Sequence, residues 1–214
     1  MSEYCKIQTV FKRDPATKCR TLLEGEYSLP AFEYLRDCEW VFTEKIDGTN
    51  IRVTWNGGEH DGIEFGGRTD AAQIPATLIK RLQDLLPVER FVENDIPPMV
   101  LYGEGYGAKI QKGGGNYKAD GQDFVLFDVR CGGLWLERVN VYDIAAKMLL
   151  DTVPVIATGN LGAMVEKVRS GFESKWGPFP AEGIVARPTT ELLTRRGERI
   201  ITKIKHRDFV GGKP

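Results

Sequence analysis

The sequence lacks any long apolar run: none of its hydrophobic stretches approaches the roughly 20 residues of a membrane span, so a membrane-spanning helix is excluded. It opens Met-Ser-Glu-Tyr-Cys-Lys, without the apolar core of a secretory signal, and the expectation is a cytoplasmic protein with no membrane partner. Histidine is scarce, with only His60 and His206. The four cysteines, Cys5, Cys19, Cys38 and Cys131, are far apart and form no CxxC pair. That excludes a structural zinc site and predicts free, buried thiols. Excess charge is also missing: 29 Lys and Arg face 30 Asp and Glu, so nothing announces a globally basic nucleic-acid binder. There are no repeats, no low-complexity segment and no Pro/Ser linker. One domain over residues 1–214 is expected, and that length is ample for a real core.

Short β-branched and aromatic runs, bounded by Gly, Asp and Asn, dominate what is there. They predict strands at Glu39–Thr43, Asn50–Trp55, Met99–Gly103, Phe124–Val129, Gly133–Arg138, Gly183–Ala186 and Arg199–Lys205. Asn56-Gly57-Gly58 reads as a hairpin turn leading to the run near Ile63. Helical spacing appears at Ala71–Leu86, with Pro75 in its first turn, at Tyr142–Leu150, at Leu161–Ser170 and, shorter, at Pro30–Asp37. Strands come in groups and do not alternate strictly with helices, which favours an antiparallel-rich α+β fold over a doubly wound one.

Five stretches carry candidate chemistry. In Glu44-Lys45-Ile46-Asp47-Gly48-Thr49-Asn50 a lysine ends an apolar strand and a turn follows. A lysine is a nucleophile only when deprotonated, so cations or desolvation must act on it; an ordinary hairpin with an exposed lysine is the plain alternative. In Leu101-Tyr102-Gly103-Glu104-Gly105-Tyr106-Gly107 the glycine spacing is wrong for a dinucleotide loop, and Gly113-Gly114-Gly115-Asn116-Tyr117 cannot supply the helix that loop requires. The stretch reads instead as a strand delivering Glu104, with glycines that let a ligand approach. Phe124-Val125-Leu126-Phe127-Asp128-Val129 is a buried strand from which one aromatic could stack on a base. Glu182 precedes the strand Gly183-Ile184-Val185-Ala186 and suits a metal or a ribose. In Ile201-Thr202-Lys203-Ile204-Lys205 alternation puts both lysines on one face, where they repel unless an anion such as phosphate lies between them. This stretch belongs to a basic run, Arg195 to Lys213, with seven Lys or Arg against Glu198 and Asp208. Interleaved Ile200, Ile201, Ile204 and Phe209 argue for a half-buried strand over a solvated tail.

In this order the five stretches resemble the signature of the covalent nucleotidyltransferase superfamily: ATP-dependent DNA and RNA ligases and mRNA capping enzymes. The RNA ligase 2 group is the nearest likeness, over about residues 39–210. Asn50 five residues after Lys45, the run Ile110-Gln111-Lys112 and the sequence Phe-x-x-Phe-Asp all fit it. Asp47 departs from it, since many members carry His there, whereas Asp is usual in DNA ligases and capping enzymes. The resemblance implies a nucleotidyltransferase (ATP-grasp-like) domain of antiparallel sheets flanked by helices, with no C-terminal OB or helical domain. It further implies an RNA ligase that uses ATP and Mg²⁺ (or Mn²⁺) to join 5′-phosphate and 3′-hydroxyl ends through lysyl-AMP and an adenylated polynucleotide.

By the same resemblance Lys45 is the nucleophile, and Lys203 and Lys205 bind the α-phosphate and depress the pKa of Lys45. Phe127 stacks on adenine, Glu104 binds ribose, Glu182 helps place the metal, and Glu44 lies at the nucleotide. Arg68, in Gly66-Gly67-Arg68-Thr69-Asp70, contacts ribose or the nicked phosphate, and Asn50 acts in the polynucleotide steps. A partner protein or domain would supply a missing substrate clamp. The alternatives are a minimal DNA ligase and a non-catalytic nucleic-acid-binding relative.

Overall fold

The computed structural model describes residues 3–58 and 62–210, without the side chain of Val210; His60 and Lys213 lie outside the described residues. In chain order the strands are β1 (Gln8–Thr9), β2 (Phe11–Arg13), β3 (Leu22–Tyr27), β4 (Trp40–Glu44), β5 (Thr49–Trp55), β6 (Ile63–Gly67), β7 (Met99–Gly107), β8 (Gln122–Cys131), β9 (Leu134–Trp135), β10 (Val155–Gly159), β11 (Gly183–Pro188) and β12 (Thr202–Lys205). The helices are α1 (Pro30–Tyr34), α2 (Ala76–Leu85), α3 (Val88–Glu93), α4 (Gly114–Tyr117), α5 (Arg138–Met148), α6 (Leu161–Ser170) and α7 (Arg207–Val210). The architecture is the expected α+β, with its strands paired antiparallel except that β1 lies parallel to β12; an isolated parallel bridge joins Leu126 to Thr152. No described helix is long and apolar enough to cross a membrane.

The chain forms two compact units. It leaves the first, the flanking unit, after Ile46, builds the central unit from Asp47 to Val153, and re-enters the flanking unit at Pro154; Tyr4 belongs to the central unit.

The central unit is a five-stranded antiparallel sheet in the order β6-β5-β7-β8-β9. Alternation along β5 sends Ile51, Val53 and Trp55 to a core shared with Leu101, Leu126 and Val129. Helix α2 covers that core with Leu78 and Leu82, each fully buried and stabilising by about 1.5–3 kcal/mol. Phe91 from α3 and Val141 and Met148 from α5 complete it. The expected hairpin is present, with Trp55 opposite Ile63 and Gly57 at φ +93°.

Helix α2 starts later than its spacing predicts, because Pro75 is its N-cap and sits outside the first turn; a residue before proline avoids the helical region. The expected strand Gly133–Arg138 shrinks to β9, since α5 already begins at Arg138. Gly114–Tyr117 makes a single helical turn, short of the helix a dinucleotide loop requires.

The flanking unit holds a second sheet, β1-β12-β11-β4-β10, and a separate β2-β3 ribbon. Its core joins Trp40 and Phe42 from β4 to Ile184, Ala186 and Ile204, with Leu161, Met164, Val165 and Val168 from α6. Those last four recur at i, i+3, i+4 and i+7. Helix α6 keeps its expected limits because Asn160 caps it, accepting from the Ala163 N–H at 2.8 Å. The cysteines are free, as expected, but not buried: Cys19 and Cys38 are exposed, Cys5 and Cys131 half-buried.

Candidate active site

In the flanking unit the site follows from strand register. Strand β11 lies between β12 and β4, antiparallel to both, with Gly183 opposite Lys205 and Ile184 opposite Glu44. The end of β4, the start of β11 and the end of β12 therefore meet at one edge of the sheet. The Lys45 N–H donates to the Gly183 carbonyl at 2.9 Å, and the His206 N–H to the Glu182 carbonyl at 2.9 Å. These backbone bonds fix the residues that carry the side chains.

Lys45 Nζ lies 2.7 Å from Glu182 Oε2, and Lys205 Nζ donates to Glu182 Oε1. One carboxylate thus bridges two lysines. Burial would raise the Glu182 pKa, but the charges and hydrogen bonds of Lys45 and Lys205 outweigh it and hold the carboxyl below its ordinary range. Lys203, half-buried, forms no ion pair among the described residues. Its pKa is lowered, first by burial and then by the neighbouring cations Lys45, Lys205 and Arg13. Three lysines against one carboxylate leave an excess of two positive charges, so the cluster is built to receive an anion. The anion that the Lys203/Lys205 pattern demanded is in part Glu182 itself, which spacing alone did not reveal.

Glu44 is engaged within the protein: it is 1% exposed, with one oxygen accepting from Ser174 Oγ and the other from the Lys175 N–H at 2.8 Å. It holds the loop before β11. Asp208 similarly braces the far side, accepting from the Lys205 N–H at 3.0 Å and from Arg13 Nη2 at 2.9 Å. Neither Ser174 nor Asp208 has a sequence signal beyond being polar. Within the basic run, Arg199 is no surface charge; it makes a two-pronged pair with Glu191 at 2.6 and 3.0 Å.

The central unit gathers a second group. Asn50 is opposite Glu104 across β5 and β7, on the face away from the core. Phe127 is the extra residue of a β-bulge: Tyr102 pairs with Asp128 but Gly103 with Leu126. A bulge re-aims the side chain it carries and is frequent beside active sites. Tyr4, absent from the motif reading, packs against Phe127 and Tyr102, both with ring centroids 5.1 Å away, and its hydroxyl donates to the buried Asp128 at 2.5 Å. Arg68 is exposed and has no hydrogen bond or ion pair among the described residues.

The glycines of β7 are approached by the protein itself: a β-carbon at Gly103 would lie 2.3 Å from the Val125 carbonyl, and one at Gly105 2.5 Å from Leu78. The Asp47-Gly48 turn is braced too, as the Asp47 N–H donates to the Tyr117 hydroxyl and Gln111 Nε2 to the Gly48 carbonyl, both at 3.3 Å.

A strand-end lysine bridged by a carboxylate to a Lys-x-Lys strand, within this α+β fold, defines a nucleotidyltransferase-type chain. The RNA ligase family model matches residues 38–205, and the chain belongs to that family. Solved structures of Naegleria gruberi RNA ligase share the fold. A glutamate-to-alanine variant with ATP and Mn superposes with TM-score 0.69 at 18% identity, over 96% of this chain and 56% of that one. Another such variant, with AMP and Mn, gives 0.70 at 17%, over 100% and 58%. The complex with PPi gives 0.67 at 18%, over 96% and 56%. The chain thus spans well under two thirds of the length of these structures. No curated protein matches it significantly.

Proposed function

We propose that this chain is the adenylyltransferase module of an ATP-dependent RNA ligase. The observation that carries the proposal is the Lys45–Glu182–Lys205 cluster with Lys203 beside it, a nucleophile candidate set in uncompensated positive charge. Family membership and the fold shared with ATP- and AMP-bound RNA ligases support it.

In the reaction, Lys45 Nζ gives up a proton and forms a bond to the α-phosphorus of ATP. The bond from that phosphorus to the bridging oxygen breaks, and pyrophosphate leaves. AMP stays on the lysine as a phosphoramidate and then passes to a 5′-phosphate; a 3′-hydroxyl attacks the adenylated end and releases AMP. Lys203 and Lys205 stabilise the charge that develops on the phosphate. Loss of a proton from Lys45 to solvent must precede attack, because an ammonium has no free electron pair. Phe127 is assigned to adenine, Glu104 to ribose, Arg68 and Asn50 to the polynucleotide.

Among the described residues no three His, Cys, Asp or Glu side chains are grouped to cage a metal. A lone carboxylate such as Glu182 suits Mg²⁺ or Mn²⁺ that keeps its waters and phosphate oxygens as its other ligands. When bound, such a cation would neutralise phosphate charge. The substrate is RNA with 5′-phosphate and 3′-hydroxyl ends, with a further protein or domain as its clamp.

The test is labelling with ATP carrying a marked α-phosphate, for wild type and Lys45→Ala, followed by a chase with 5′-phosphorylated RNA and DNA nicks. Label on wild type alone, discharged faster onto RNA, is expected. Label from GTP only, no adduct at all, or preference for an all-DNA nick would overturn the proposal.

A further inference from the structure

Strand β5 buries a charge that the chemistry above does not use. Arg52 lies between Ile51 and Val53, on the face opposite the core, and is 1% exposed. Its Nη2 is 2.5 Å from Asp70 Oδ1, whose own side chain is 68% exposed. The remaining nitrogens, Nε and Nη1, have no hydrogen-bond partner among the described residues. A buried cation with open donors is costly, and an apolar side chain there would cost less. Its retention calls for a role.

The surrounding backbone is shaped around this contact. A β-carbon at Gly66, opposite Arg52 in β6, would lie 2.7 Å from Nη2, so any side chain there would displace the guanidinium from this position. A β-carbon at Gly67 would lie 2.6 Å from that of Ala72, and the Ala72 N–H donates to the Thr69 carbonyl at 3.1 Å. The loop after β6 is therefore tied to the sheet by Arg52 at Asp70 and closed on itself by the Ala72–Thr69 bond, with Ala72 lying close to Gly67. Arg68 stands between them and the strand, exposed and without a protein partner.

We infer that Arg52 is a positioning residue: through Asp70 it fixes the loop that presents Arg68 to the polynucleotide phosphate. The inference rests on the RNA ligase reading of Arg68. The guanidinium fork suits this task better than a lysine, because a planar donor set fixes a carboxylate in direction as well as distance.

The experiment uses the full chain and separates adenylation from sealing. Variants Asp70→Ala, Arg68→Ala, their double, and Arg52→Met are assayed for Lys45 adenylation with ATP, then for sealing of a pre-adenylated RNA nick over a range of nick concentrations. Asp70→Ala is the gentle probe, since Asp70 is exposed and its loss leaves the core intact. It should raise KM for the nick about tenfold, with kcat and adenylation within about twofold, and should add less than about twofold to KM in the Arg68→Ala background. Arg52→Met should match it wherever its melting curve is that of a folded protein. Independent, multiplying effects of Asp70→Ala and Arg68→Ala would overturn the inference, as would adenylation falling in parallel with sealing. A wild type that never acquires AMP would instead overturn the ligase reading, and this inference with it.

Discussion

Gly183→Ala puts the register argument under its hardest test. A β-carbon at Gly183 would sit 2.1 Å from the Ile204 carbonyl oxygen and 2.8 Å from the Lys205 α-carbon. Ordinary contact needs about 3.5 Å, so β11 and β12 must part by more than about 1 Å. The obstacle is backbone on both sides, and no side chain can swing away to relieve it. Overpacking of this kind costs about 1–3 kcal/mol, or a fall in Tm of about 2–12 °C for a chain of this size. The same displacement carries Glu182 away from Lys205 and breaks the bridge to Lys45. A 1 Å misplacement of reacting groups costs about 100-fold in rate, so Lys45 adenylation should fall by about that factor even far below the melting temperature. Calorimetry and single-turnover adenylation measure the two effects. A variant with unchanged Tm would refute the close approach. One with lowered Tm but wild-type adenylation would refute the claim that this contact sets Glu182.

Glu182→Gln tests the pH behaviour of the bridge. The folded carboxyl titrates below its usual 4.5, so its stabilising effect is complete above that value and is lost as pH falls through the folded pKa. The Tm difference from wild type should therefore be constant between about pH 7 and 5 and shrink below about 4.5; a difference that disappears near pH 6 would contradict the sign. Glu44→Gln keeps the shape but leaves one of two donors, Ser174 Oγ or the Lys175 N–H, facing an amide, and should cost about 1–3 kcal/mol in urea unfolding. Ser174→Ala should then add little to it, and full additivity would argue against the shared anchor. Tyr4→Phe removes the buried hydrogen bond to Asp128 and should lower stability by about 1–3 kcal/mol; an unchanged urea midpoint would refute a role for Tyr4 as an anchor.

Much of this was legible in the sequence, for identifiable reasons. Strands β5 and β8 and helix α6 have clear periodicity, and Lys203 and Lys205 share a face because β12 alternates. Strand β10 escaped notice because it is nowhere fully buried, with Val155 exposed and Gly159 at its end, so it lacks an apolar signature. Pairing across distance was invisible too. That Glu182 bridges Lys45 and Lys205 depends on the register of three strands drawn from opposite ends of the chain. The bulge at Phe127 leaves no trace in composition, and Tyr4 lay in a terminal segment without a motif. Arg52 did carry a signal: a cation in a strand whose neighbours on either side, Ile51 and Val53, are apolar.

The chain's excursion through Asp47–Val153 imposes an order of assembly. Among the described residues, strand β4 pairs with β10 and β11 alone, and β1 with β12 alone, all on the far side of that excursion. The central unit can form from nearly contiguous chain, whereas the sheet bearing Lys45 must first close a loop of over a hundred residues, a slow and entropically costly step. During synthesis the central unit is thus ready first; β4 can then pair with β10 on one side, while its other side, at Lys45, waits for residues 183–205. Lys45 meets Glu182 and the two strand lysines only once residues 182–205 have been made, so a chain cut before them cannot assemble the cluster.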